Sequence, residues 1–273
     1  AAAGDTQYLG WDGYQTISGS QMLYAGNGAS GGSLPDVLRL KSGSVLAVHE
    51  AAGAAVLPAV QIFRYKPADE AWTTLSAALG VTGSKPNQVS PALAQDTVTG
   101  RVFLFVVSFT GLNLIMVSSD DDGATFTAGS SYQVLREDLP AGSTINEVRA
   151  SYNNGQFVLF VQYTLSAVAE VAQYASTSGA ARFDQVSANW SVSGEKPNSI
   201  SVAPLTGGGF LLGYADGATT ARYRSIRIGS AYEVAEDGTA VILVAQIPGG
   251  RPSISVWRDE DGAMYALAAV DEG

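Results

Sequence analysis

The feature that most constrains the fold is a hairpin unit that returns five times along the chain: a short apolar strand, a polar turn, a glycine, then a second apolar strand. Leu34-Pro35-Asp36-Val37-Leu38 leads to Gly43-Ser44-Val45-Leu46-Ala47-Val48, and Ser90-Pro91-Ala92-Leu93 leads to Gly100-Arg101-Val102-Phe103-Leu104-Phe105. Ile145-Asn146-Glu147-Val148 precedes Gly155-Gln156-Phe157-Val158-Leu159-Phe160, and Pro197-Asn198-Ser199-Ile200 precedes Gly208-Gly209-Phe210-Leu211-Leu212. The last copy runs from Arg251-Pro252-Ser253-Ile254 to Gly262-Ala263-Met264-Tyr265-Ala266-Leu267. The turn glycines at 43, 100, 155, 208 and 262 are 57, 55, 53 and 54 residues apart. That period holds four antiparallel strands with their loops, and units that bury their apolar faces on one another in a ring make a β-propeller.

Further strand-like runs occupy the intervals, at 60 to 65, 112 to 118, 168 to 175 and 220 to 228, each followed by a turn and an aromatic: Trp72, Phe126, Phe183 and Tyr232. The expected organisation is a single all-β domain over 1–273, in four-stranded antiparallel blades at about 34–80, 87–136, 143–191, 196–236 and 250–270 plus 7–24. The fifth blade takes its outer strands from Gln7 to Leu9 and Tyr14 to Leu23. Tyr14 lies 21 residues before Pro35, as Trp72 lies 19 before Pro91 and Tyr232 lies 20 before Pro252. Pairing of the two ends removes an open sheet edge. The alternative is a chain cut within a blade, with a sixth blade in a longer protein. The Ala1-Ala2-Ala3-Gly4 start without Met fits a processed secretory chain, residues added on expression, or a piece of a longer polypeptide.

One turn carries a more specific chemistry. Ser119-Asp120-Asp121-Asp122-Gly123-Ala124-Thr125-Phe126 reads S-x-D-x-G-x-T-F. The Ser119 hydroxyl and Asp121 carboxylate can satisfy groups of their own turn, Gly123 permits a positive φ, Thr125 adds a hydroxyl and Phe126 re-enters the apolar layer. The pattern resembles the Asp box of sialidases and related propellers, with Phe in place of the commoner Trp, and implies a structural corner between the third and fourth strands of a blade. Its acids are therefore expected to hold a turn rather than a metal; the ligand spacing of a calcium loop is missing.

Composition sets the limits on function. A chain of 273 residues can bury roughly three quarters of its unfolded surface. A net charge of −10, from 25 acids against 15 bases, argues against nucleic acid as a partner. No apolar run approaches the roughly 18 residues of a membrane span. Cys is absent, so thiolate metal sites are excluded, and His49 as the sole histidine excludes His clusters; no metal or cofactor is expected.

Ligands of propellers enter where the inner strands begin, which selects Asp36, Gln88, Asn146, Glu147, Asn198 and Arg251, with Tyr214 at the end of a second strand. This polar rim with aromatics suits a hydroxyl-rich ligand. Asp36 and Glu147 are the candidate catalytic carboxyls, since a glycosidase needs one acid and one base or nucleophile. Their places on blades one and three resemble those of five-bladed arabinanase-like and levansucrase-like hydrolases. Those families, however, place a further Asp where this chain has Gln88-Val89-Ser90-Pro91, and the three arginines of sialidases are unmatched apart from Arg251. Arg222 and Arg224 alternate as on a solvent-facing strand. The leading expectation is a non-enzymatic module that binds glycan or another cell-surface ligand, extracellular or virion-associated, as in an adhesin. A glycoside hydrolase using Asp36 and Glu147 is the alternative, and a structural propeller contacting neighbouring subunits is the third.

Overall fold

The computed structural model describes residues 36–50, 60–75, 91–107, 114–126, 132–135, 139–166, 168–177, 184–187, 197–216, 220–228, 234–244, 252–258 and 263–270. All regular elements among them are strands, and each sheet is antiparallel with its strands in chain order. The first sheet holds β1 (Asp36–Arg39), β2 (Val45–Glu50), β3 (Val60–Lys66) and β4 (Ala71–Leu75). The second holds β5 (Ala92–Gln95), β6 (Val102–Val107), β7 (Leu114–Ser119) and β8 (Tyr132–Leu135). The third holds β9 (Thr144–Asn153), β10 (Gln156–Leu165), β11 (Val168–Thr177) and β12 (Asp184–Ser187). The fourth holds β13 (Pro197–Pro204), β14 (Phe210–Asp216), β15 (Thr220–Ile228) and β16 (Val234–Val244), and β17 (Pro252–Arg258) pairs with β18 (Met264–Val270).

The first strands of successive sheets are neighbours: β1 beside β5, β5 beside β9, β9 beside β13 and β13 beside β17. The sheets therefore stand around a common axis with their first strands innermost, which is a β-propeller. β16 continues to Val244, past the limit near 236 expected for the fourth blade, because the segment after Tyr232 is itself a long outer strand. The segments 7–9 and 14–23, and with them ring closure, lie outside the described residues, as do Tyr14, Phe183 and Tyr232.

The repeating glycines do what their spacing requires. Gly43, Gly100, Gly155 and Gly208 have φ of +88°, +82°, +83° and +111°, the left-handed region that lets a tight turn return the chain antiparallel. In the second sheet Asp96 helps this turn, its Oδ1 accepting from the N–H groups of Val98 at 2.9 Å and Thr99 at 3.1 Å.

Stacking of sheets explains why the second strands read as unbroken apolar runs. Along β10, Phe157, Leu159, Val161 and Tyr163 pack with Phe103, Phe105, Leu114 and Met116 of the second sheet. The alternate residues Val158 and Phe160 pack with Ile200, Phe210, Leu212 and Tyr214 of the fourth. Both faces of the sheet are thus covered, and each such side chain contributes about 1.5–3 kcal/mol on burial. The same stacking corrects the expectation for β15. Arg224 is 4% exposed rather than solvent-facing, with its guanidinium carbon 5.3 Å from the Tyr214 ring centroid. A polar residue at every second position marks water on one face only where no further sheet covers that face.

The Ser119–Phe126 turn forms between β7 and β8 and satisfies itself. Ser119 Oγ donates to Asp121 Oδ1 at 2.6 Å and accepts from the Gly123 N–H at 3.0 Å. Asp121 also accepts from the Thr125 N–H at 2.8 Å and the Thr125 hydroxyl at 2.6 Å. Phe126 is buried in the apolar layer between the first and second sheets.

The other two acids of the turn look outward. Asp120 pairs with Arg101 at 2.6 Å. Asp122 Oδ2 accepts from Ser42 at 2.8 Å, Ser44 at 3.2 Å and the guanidinium of Arg64, all on the preceding sheet. A Cβ on Gly123, where φ is +72°, would stand 2.6 Å from a methyl of buried Leu46. The corner is therefore a clamp between sheets as well as a turn, and glycine is required by both conformation and closeness.

Candidate functional site

The inner strands bring two of the sequence-selected carboxyls to the axis, but each is already engaged. Asp36 is half-buried on β1; its Oδ2 accepts from the Leu93 N–H of β5 at 2.7 Å and its Oδ1 from the Val37 N–H at 3.0 Å. Glu147 on β9 is 5% exposed; its Oε2 accepts from the Ile200 N–H of β13 at 3.3 Å. Each acid thus reaches a backbone donor on the inner strand of the next sheet. The repeat explains the parallel: Asp36 and Leu93 both lie seven residues before a turn glycine, whereas Glu147 and Ile200 both lie eight before theirs.

Arg149 completes the cluster. Two residues beyond Glu147 on β9, it shares the same face of the strand. Its Nη2 lies 3.0 Å from Glu147 Oε1, its Nε donates to the Ile200 carbonyl at 3.1 Å, and its Nη1 donates to the Val148 carbonyl at 3.0 Å. Glu147 and Arg149 together grip both polar groups of one peptide residue, Ile200. Nothing local in the sequence marks this, apart from two opposite charges at strand spacing.

Burial pushes the carboxyls of both Asp36 and Glu147 above their ordinary values, opposed in each case by the positive charge of Arg149 and by backbone donors. The shifts run in the same direction and from the same cause. A general acid and a base or nucleophile are recognised by environments that drive their pKa values apart, and these two environments do not.

The remaining candidates fall as follows. Asn146 is half-buried and donates to the Thr164 hydroxyl at 2.6 Å. Tyr214, expected on the rim, is fully buried between the third and fourth sheets, where its hydroxyl accepts from Arg224 Nε at 3.2 Å and Nη2 at 2.7 Å. Its place on β14 turns it toward the neighbouring sheet instead of the mouth. Asn198 lies in β13, its side chain outside the described residues; Gln88 and Arg251 are also outside them. Among the described residues no group of three or more His, Asp or Glu is placed to hold a metal ion.

A channel cavity of about 820 Å³ lies among the inner strands, bounded by Asp36, Arg39 and Lys41 at the first sheet and by Leu93, Gln95 and Thr97 at the second. Ala150, Ser151 and Asn154 close it from the third sheet, and Val202, Pro204 and Gly207 from the fourth. It extends from Asp36 toward the hairpin turns, the end opposite the starts of the inner strands. Asn153, also lining it, is spent on structure, donating to the carbonyls of Leu205 at 2.7 Å and Gly209 at 2.6 Å.

No protein-family model matches the chain, and a search of curated proteins returns no match. Solved structures do resemble it. A Hadza microbial sialidase superposes with a TM-score of 0.56 at 13% identity, over 86% of this chain and 52% of its own. The α-L-arabinofuranosidase of Fusarium graminearum, in complex with an iminosugar inhibitor, gives 0.60 at 14% identity, over 86% of this chain and 74% of its own. The α-L-arabinanase of Penicillium chrysogenum, complexed with arabinobiose, gives 0.55 at 16% identity, over 89% of this chain and 79% of its own. The chain spans only about half the length of the sialidase. At these identities the likeness is one of fold: the neighbours are β-propeller glycoside hydrolases.

Proposed function

We propose that this protein is a carbohydrate-recognition propeller of the Asp-box kind, five-bladed and non-enzymatic, with the axial channel as its ligand seat. The observation that carries the reading is the pair of axial acids. Asp36 and Glu147 are both occupied by backbone donors of a neighbouring inner strand, and both are raised by the same burial. They brace the ring where a hydrolase would need two differentiated carboxyls. Support for the ligand class comes from the fold, whose neighbours include enzymes acting on glycans, and from a channel that mixes apolar walls with polar groups as sugars require. An extracellular or virion-associated setting is proposed with the ligand class, which such surfaces display.

The test is a glycan array followed by calorimetry on the full chain. Saturable binding of a glycan, kept in Glu147→Gln and accompanied by no turnover, is the expected result. Absence of binding across the array would sink the reading.

One observation favours a second reading, a glycoside hydrolase using Asp36 and Glu147. Both carboxyls feel the charge of the single Arg149, so two acids and one cation share the axis. Turnover of aryl glycosides or arabinan-type polymers that disappears in Glu147→Gln would establish it over the first.

A further inference from the structure

We infer that the hairpin end of the channel holds a negatively charged group, so that the ligand is an anionic glycan, carboxylated or sulfated, in preference to a neutral one. This rests on the channel being the ligand seat. The chain as a whole carries a net charge of −10, yet the balance inside the channel is reversed. Among the described lining residues the charged ones are Asp36, Arg39 and Lys41. Asp36 has both oxygens engaged by the N–H groups of Val37 and Leu93, so its acceptors are turned into the wall.

The cations are presented differently. Arg39 and Lys41 are both exposed and lie two residues apart, at the end of β1 and the start of its turn. Lys41 is held in place from the second sheet. Its backbone N–H donates to Gln95 Oε1 at 2.7 Å, and Gln95 is itself buried and anchored through Nε2 to the Gly100 carbonyl at 3.1 Å. The Lys41 ammonium donates to the Thr97 carbonyl at 3.0 Å. That partner is neutral, and an ammonium has three donors, so charge and further N–H groups remain for a ligand. A guanidinium and an ammonium on one wall are the groups that recognise carboxylate or sulfate oxygens.

The facing walls are less polar. Ala150, Val202 and Pro204 offer apolar surface for a ring face, and Ser151 and Asn154 are neutral. A volume of about 820 Å³ lies within the range of small-ligand sites, about 300–1,000 Å³, and accommodates an anionic group together with sugar rings.

The experiment is calorimetric titration of the full chain with four probes: a neutral disaccharide, the same disaccharide oxidised to the uronate, its sulfate ester, and inorganic sulfate. One of the two anionic sugars is expected to bind at least tenfold tighter than the neutral one, with affinity falling as salt rises. Arg39→Gln and Lys41→Gln should each weaken it at least fivefold with an unchanged urea midpoint, whereas Arg101→Gln, outside the channel, should leave it unchanged. Equal binding of neutral and anionic sugars, insensitive to both substitutions, would overturn the inference while leaving glycan recognition standing. Inorganic sulfate binding as tightly as the sulfated sugar would keep the anion site and remove the glycan. A chain that binds none of the four loses both.

Discussion

The Ser119–Phe126 corner and the axial cluster each build structure on an acidic side chain, with opposite electrostatic results. Partial desolvation pushes Asp121 up, but donors from Ser119, from the hydroxyl and N–H of Thr125 and from its own N–H outweigh it and bring the group down to about 2. Glu147 is buried, receives one backbone donor and one arginine, and is nevertheless raised. Water and local donors together keep a carboxylate charged; burial with few donors favours the neutral acid. The comparison separates an acid that stabilises by being ionised from one that is retained at an electrostatic cost because its neighbours need a partner.

The largest expected effect lies at the axis. Glu147→Ala leaves Arg149 and the Ile200 N–H without their partner in a buried place, and should lower the unfolding free energy in urea by about 3 kcal/mol. Glu147→Gln keeps an acceptor of the same shape and should cost much less. Equal losses in the two variants would break the comparison, because charge rather than an unmet partner would then be the source. Asp121→Ala comes next: it removes three hydrogen bonds made within the turn and should cost about 2 kcal/mol while leaving ligand binding unchanged. Selective loss of binding there would move the functional site to the corner.

The smallest effect is in the pH profile, where the two regions act in different windows. The stabilisation due to Asp121 is present above its ordinary value of 3.8 and is lost as pH falls toward about 2. Asp36 and Glu147, raised above 3.8 and 4.5, contribute stability that is full below those values and is lost as pH rises through their folded values. Urea midpoints from pH 2 to 8 should therefore flatten at the acid end in Asp121→Asn and above pH 4.5 in Glu147→Gln. Superimposable profiles for the two variants would refute the distinction.

What was legible in the sequence follows from how far apart the interacting residues are. The hairpin glycines announce themselves because a positive φ is a property of one residue, and Gly43, Gly100, Gly155 and Gly208 all adopt it. The Ser119–Phe126 corner is legible for a related reason: Ser119, Asp121 and Thr125 find their partners within four residues. The candidate site is a different matter. Asp36 and Glu147 stand out in the sequence as acids near the starts of inner strands, but their partners Leu93 and Ile200 are 57 and 53 residues away.

Tyr214 and Arg224 were misplaced by the same limitation. Alternation along a strand separates its two faces without saying what covers each, and here further sheets cover both. Asp122 reaches 58 residues back to Arg64, so its bracing of the preceding sheet is invisible within its own turn. By itself, then, the sequence determined the repeating unit, its turns and the self-contained corner, all of which depend on backbone conformation and neighbours a few residues off. Only the tertiary structure decided which acids brace the ring and which cations face the channel. Those roles depend on pleat direction and on stacking between sheets, which bring together residues a full blade apart.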